Sequence, residues 1–183
     1  MSTRIEATVD DLYRIPENGK AEIVDGQIVL ISPNGQKPSY ACGETFVSLR
    51  EYTRRNKIGR SVSGNAAFIV NLPNRKSFSP DVAFYTGPDS GMKFFEGAPI
   101  FAVEVRSEGD YGPKAERQMA KKRADYFAAG TKVQWDVDLL SNDVIKVYRA
   151  DDPDNPTIYR RGEFAEAEPA VPGWRFPVDN LFE

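Results

Sequence analysis

Two acidic positions and one cation stand where chemistry is possible. Ile100-Phe101-Ala102-Val103-Glu104-Val105-Arg106 reads as a strand buried on both faces, yet it carries a carboxylate near its end. Burying an unpaired carboxylate costs several kcal/mol, so such a group is paired, exposed at a strand end, or bound to a metal. Alternate side chains of a strand share a face, which makes Glu104 and Arg106 neighbours. A carboxylate and a cation so spaced can hold a divalent metal on the first and a phosphate or attacking water near the second. Upstream, Pro80 suits the beginning of a strand, where its missing N–H is not required, and Asp81 follows it. If the two strands are adjacent, Asp81 and Glu104 can converge on one ion. Taken singly, each has a structural alternative: a strand-end cap for Asp81, and an ion pair with Arg106 for Glu104.

The elements that must position these groups are readable from spacing. The segment AEIVDGQIVLIS alternates around Asp25-Gly26, the dipeptide of a tight turn, and predicts an N-terminal β-hairpin. Residues 40–57 place Phe46, Leu49 and Tyr52 or Thr53 at helical spacing, with Gly59 beyond them. Strand-like runs follow at about 66–72, 81–85 and 100–106. A second helix is predicted over about 113–129, stopped by Gly130. Then KVQWDVD alternates Val133, Trp135 and Val137 against polar neighbours, and a turn at Ser141-Asn142 leads into VIKVYR, giving a strand pair. The acidic DDPDNP reads as an exposed loop, and the tail VPGWRFPVDNLF carries enough large apolar side chains to dock on the body. The 183 residues, 40% of them apolar, make one domain over 1–183, of class α/β (α+β) with a central mixed sheet flanked by helices.

Composition excludes several chemistries. The chain has no histidine, which removes Ser-His-Asp and Cys-His catalysis and ordinary zinc-hydrolase sites. What remains is carboxylate, Lys, Arg, Tyr and Ser chemistry, or a hard metal held by oxygen. Cys42 is the single cysteine and reads as a small buried hydrophobe. No Walker loop or dinucleotide glycine fingerprint is present. The net charge of −3 argues against a protein that coats nucleic acid, although Arg50, Arg54, Arg55, Lys57 and Arg60 gather at the end of one predicted helix. That cluster reads as a solvated helix end, with a phosphate contact as the alternative. Without a signal-peptide-like or membrane-spanning apolar run, a soluble, cytoplasmic protein is expected, with no membrane partner.

Ser79-Pro80-Asp81-Val82 followed by Val103-Glu104-Val105-Arg106 resembles the PD-(D/E)xK nuclease superfamily, in which a Pro-Asp and a later acid-x-lysine sit on neighbouring strands. The ordered segments AEIVDGQIVLISP, SPDVAFY, APIFAVEVRS, KKRADYFAAGTKVQWDVD and EPAVPGWRFPVDNLF are more closely similar to the Uma family of restriction-endonuclease-like proteins. The resemblance implies a restriction-endonuclease-like fold in which Asp81 and Glu104 are metal ligands. The expected lysine position holds Arg106. Related sequences carry the lysine on the following helix, four residues before a tyrosine, which here is Lys122 before Tyr126. Helix spacing agrees, since Ala115, Met119, Lys122 and Tyr126 follow a 4-3-4 pattern on one stripe. The alternative for Lys122 is a snorkelling side chain at the stripe's edge. Glu22 matches a family glutamate just before the Asp-Gly turn; it is a third acid for the metal shell or an exposed strand residue.

The expected function is that of a Mg²⁺-dependent DNA endonuclease, with Mn²⁺ able to substitute and Arg106 contacting a phosphate oxygen. The alternative is a non-catalytic module that keeps the nuclease fold and binds nucleic acid or protein. A third reading, an acid/base pair for glycoside hydrolysis, has only the two carboxylates in its favour. A homodimer is expected of an enzyme that cuts both strands of DNA.

Overall fold

The structure is a computed structural model that describes residues 6–15 and 19–182. A short helix, α1 (Val9–Tyr13), leads to the hairpin of β1 (Lys20–Val24) and β2 (Gln27–Ile31). Asp25 and Gly26 take φ of 48° and 72°, the two left-handed residues that a two-residue hairpin turn requires. The chain continues through α2 (Gln36–Asn56), β3 (Arg60–Ser63), β4 (Phe68–Ile69), β5 (Ser77–Phe78), β6 (Val82–Tyr85), β7 (Phe95–Glu96) and β8 (Phe101–Val105). After α3 (Pro113–Ala128) come β9 (Val133–Val137), β10 (Ile145–Arg149), β11 (Asp152–Tyr159), β12 (Phe164–Ala167), β13 (Val171–Pro177) and a 3-10 turn at Val178–Leu181.

Six strands form the central sheet in the order β11-β10-β9-β8-β6-β3. Within this sheet β8 and β9 alone run parallel, and the crossover that a parallel pair needs is α3. One face of the sheet carries the larger core. Val82, Phe84, Phe101, Val103 and Trp135 point there and meet α2, the β12–β13 hairpin and the C-terminal turn. Trp135 stacks on Trp174, with ring centroids 5.1 Å apart. The predicted docking of the tail is therefore realised through Trp174, Phe176, Val178 and Leu181.

The opposite face carries Ala83, Tyr85 and Ala102 under Phe68, Phe78 and Tyr126. Here the register decides which polar groups meet. Val82 pairs with Val103 and Ala83 with Ala102, so one further step sets Asp81 opposite Glu104; the Asp81 N–H indeed donates to the Val103 carbonyl at 3.1 Å. On the other side, Glu104 pairs with Asp136 of β9. Directly opposed residues of one face lie about 5 Å apart at Cβ, so three carboxylates stand in a row across the sheet.

Two expectations need correction. The acidic stretch after residue 150 is exposed, but it is strand β11 at the sheet edge rather than a loop. Pro153 and Pro156 fall in the irregular stretch between Asp152 and Thr157 that has no register partner in β10, so their missing N–H groups break no ladder bond. The strand expected over 66–72 shrinks to β4, because Leu72 to Arg75 form a turn into β5. That turn delivers Arg75 to the site.

Gly59 closes the turn between α2 and β3 with φ of 56°, and a Cβ there would lie 2.3 Å from the Phe84 ring. Gly59→Ala is expected to lose more than about 1 kcal/mol of stability, from the φ penalty and the clash together, and urea denaturation measures it.

Candidate active site

Asp81 precedes β6 and is buried, and each of its oxygens is engaged. Oδ2 accepts the Val105 N–H at 2.9 Å, fastening it to β8. Oδ1 pairs with Lys20 at 2.9 Å and accepts from Asn34 Nδ2 at 3.4 Å. Glu104 is 24% exposed at its side chain and uses Oε1 for two partners. Lys122 Nζ lies 2.9 Å away and the Tyr126 hydroxyl donates at 2.6 Å. Among the described residues, no donor engages Oε2 of Glu104. Burial raises the pKa of Glu104, and the neighbouring charges of Asp81 and Glu22 add to that against the opposing pull of Lys122.

Glu22 is 5% exposed, so it is neither an exposed strand residue nor open to solvent. Its Oε1 takes Lys122 at 2.9 Å and the Ser79 N–H at 2.9 Å, while Oε2 takes Arg75 at 2.6 Å. Burial opposes its charge, but Lys122 and Arg75 outweigh burial and hold its pKa below the usual carboxylate value. Arg75 continues to Asp125 at 2.9 Å, and Asn74 Nδ2 supports the other Asp125 oxygen at 2.9 Å. Lys122 thus sits between Glu22 and Glu104. Burial works against its charge, yet the two carboxylates raise its pKa, so the ammonium stays protonated. On α3, Ala115, Lys122 and Tyr126 turn to the sheet as the stripe predicts, and Asp125 is buried beside them.

Arg106 follows the last residue of β8 and turns to Asp136. Its Nε and Nη2 each donate to one Asp136 oxygen at 2.7 Å, a bidentate pair, and its Nη1 reaches Glu116 in the first turn of α3. Asp136 first, with Glu116 behind it, holds the guanidinium charge firmly in place. The structural alternative for Glu104, an ion pair with Arg106, is therefore replaced by one with Lys122. The residues that sequence reasoning missed are Lys20, Arg75, Asp125 and Asp136. Asp136 alone had a signal, as a polar residue opposite Val133, Trp135 and Val137 in strand alternation; the others depend on tertiary approach.

Beside Asp81 opens a cleft of 430 Å³, lined by Lys20, Asn34, Ser39, Cys42, Gly43 and Ser63, among others. Burial pushes the Cys42 thiol up to about 12, leaving it an inert wall of the cleft. As to metals, no three acidic, histidine or cysteine side chains among the described residues are arranged to hold an ion. Two are suited to it: Asp81 and Glu104 face each other, supply hard oxygen donors, and leave Oε2 of Glu104 open, which fits a Mg²⁺ ion that keeps several waters. Glu22 does not line the cleft as Asp81 does, and its pairs with Lys122 and Arg75 make it instead the anchor of Lys122.

A family model, Uma2, described as "Putative restriction endonuclease", matches residues 9–179. A crystal structure of a "putative nuclease belonging to DUF820" from Anabaena variabilis aligns with a TM-score of 0.74 at 17% identity, covering 96% of this chain and 97% of that one. At that identity the likeness speaks to the fold, a mixed α+β architecture around a central mixed sheet. No curated protein matches the chain.

The two buried acids carry opposite stability signs. Glu104 has a raised pKa, so its charge costs stability above its unfolded value near 4.5, and the cost is relieved as pH falls through the folded value. Glu104→Gln is expected to raise Tm at neutral pH, with the gain vanishing in acid. Glu22 has a lowered pKa, so its stabilisation is present above that unfolded value and lost as pH falls through the folded one. Arg75→Met, which strips the partner from buried Glu22 and Asp125, is expected to cost about 3–5 kcal/mol in chemical denaturation.

Proposed function

The chain belongs to the Uma2 family, and from that membership we propose that it is a metal-dependent endonuclease that hydrolyses DNA phosphodiesters. The observation that carries the reading is Lys122, a protonated amine held 2.9 Å from both Glu22 and Glu104 beside the facing carboxylate of Asp81. Acid, acid and lysine thus converge although the lysine is absent from its strand position.

Asp81 and Glu104 would hold the cation. A bound Mg²⁺ would polarise a phosphoryl oxygen and lower the pKa of a water on it. The chain's own residues supply the rest. Lys122 cannot act as a base while protonated; it offers a fixed positive charge to the attacking water and to the charge that grows on the phosphoryl oxygens. The Tyr126 hydroxyl, whose pKa burial and Glu104 raise well above normal, stays a donor and fixes the rotamer of Glu104. Glu22 and Arg75 hold Lys122 from behind. Arg106 fastens the first turn of α3 to β9 through Glu116 and Asp136, so it supports the position of Lys122 rather than reaching for phosphate.

One observation favours a second reading, a non-catalytic module of the same fold: Arg106 fills the acid-x-lysine position and is fully engaged by carboxylates. Calorimetric titration with Mn²⁺ separates the two. Saturable binding to the wild type that is lost in Asp81→Asn, whose amide oxygen still accepts the Val105 N–H and whose fold loses only the pairing with Lys20 and Asn34, supports the enzyme. No Mn²⁺ binding in the presence or absence of duplex DNA, together with DNA affinity indifferent to Glu104→Gln, supports the module. For the enzyme, Mn²⁺ affinity is expected to weaken as pH falls through a value above 4.5, because Glu104 must lose its proton to bind. Lys122→Met is expected to lower turnover on plasmid DNA by about 10²–10³ while metal binding persists.

A further inference from the structure

The basic residues at the end of α2 are not scattered. Gly43, Val47, Arg50, Arg54 and Lys57 succeed one another at steps of four, three, four and three, which is one stripe of a helix, and all five are exposed. Gly43 at one end of the stripe lines the cleft beside Asp81. The strand that returns beside α2 repeats this polarity. In β3, Ser63 lines the cleft, while Arg60 stands at the other end of the strand. Two elements therefore run from the acid cleft to the same basic end, and the Gly59 turn holds them together there.

Among the described residues, Arg50, Arg54, Arg55 and Lys57 pair with no carboxylate, and Arg60 has only a pair with exposed Asp89 at 3.5 Å. Glu51 lies next to the stripe without engaging it. A protein of net charge −3 that keeps unpaired cations in line with its acid cleft presents a cationic track for an anion on an otherwise unfavourable surface. From Gly43 to Lys57 the helix rises about 21 Å at 1.5 Å per residue. Duplex DNA advances 3.4 Å per base pair along each strand, so the track matches about six base pairs.

We propose that duplex DNA lies along α2, its phosphate backbone running from the cleft at Asp81 over Val47 to Arg50, Arg54, Lys57 and Arg60. Positive charge then sits on one side of the cleft, and the duplex enters from the α2 side. This rests on the endonuclease reading of the acid cluster.

The test measures binding rather than cleavage. Fluorescence anisotropy with a labelled duplex of about 20 base pairs, in Ca²⁺ buffer over a range of salt, gives the slope of log affinity against log salt. Each phosphate contact contributes about 0.9 to that slope. Arg50→Gln/Arg54→Gln/Lys57→Gln is expected to make it shallower by roughly 2 to 3 and to weaken binding at least about tenfold at 0.1 M salt. Lys114→Gln/Arg117→Gln, which removes exposed cations on α3, is expected to leave the slope unchanged. A wild type that binds with a clear salt slope, unaltered in the α2 variant, overturns the track and leaves the endonuclease reading standing. A wild type that binds no duplex even at low salt overturns both.

Discussion

Like-charge crowding across one face of the sheet is the constraint on which the rest depends. Strand register sets Asp81, just before β6, beside Glu104 of β8 and Asp136 of β9, and three neighbouring carboxylates repel one another where water is scarce. Each is matched by a cation from a different element: Lys20 from the hairpin, Lys122 from the crossover helix, and Arg106 from the end of β8 itself. The ion pairs thus tie β1, α3 and the central sheet together. The carboxylate with the least complete neutralisation is the central one, Glu104: burial first, and then the charges of Asp81 and Glu22, raise its pKa, and among the described residues no donor engages its Oε2.

The crossover helix places a lysine over the face on which Glu104 stands. Parallel strands β8 and β9 require a helix packed over the sheet, so α3 passes above the face on which Glu104 stands. A lysine facing down from that helix reaches the same carboxylate that a lysine two residues along the strand would reach. The position two residues after Glu104 holds Arg106, whose bidentate pair with Asp136 and contact with Glu116 stiffen the entry to α3. Arg75 does the equivalent at the other side, clamping Glu22 and Asp125 from the β4–β5 turn.

Such an arrangement trades stability for readiness. Glu22 is compensated by Lys122 and Arg75 and contributes to folding, whereas burial resists the charge of Glu104. In the proposed enzyme, a cation beside Asp81 and Glu104 would relieve that resistance. The inert Cys42 and the small residues Ser39, Gly43 and Ser63 leave the flank of Asp81 open as a cleft.

The hairpin at Asp25-Gly26, both long helices, the strands around Asp81 and Glu104, and the docking of the tail were legible in the sequence. Turn dipeptides, helical spacing and alternation are local, and the structure keeps all of them. The facing of Asp81 and Glu104 was legible only on condition of strand adjacency, and Lys122 was implied by the family resemblance, with a stripe on one helix face in agreement. What only the tertiary structure decided was the charge balance. Lys20, Arg75 and Asp125 reach the site from distant segments, and no local period announces which buried acid will meet which cation. Nor could spacing show that Arg106 turns to Asp136 rather than staying beside Glu104, because that depends on which strand lies next to β8. Even β11 became a strand despite two prolines because β10 offered it an edge. Periodicity fixes which face a residue takes; which partners it finds there is set by packing between segments far apart in the chain.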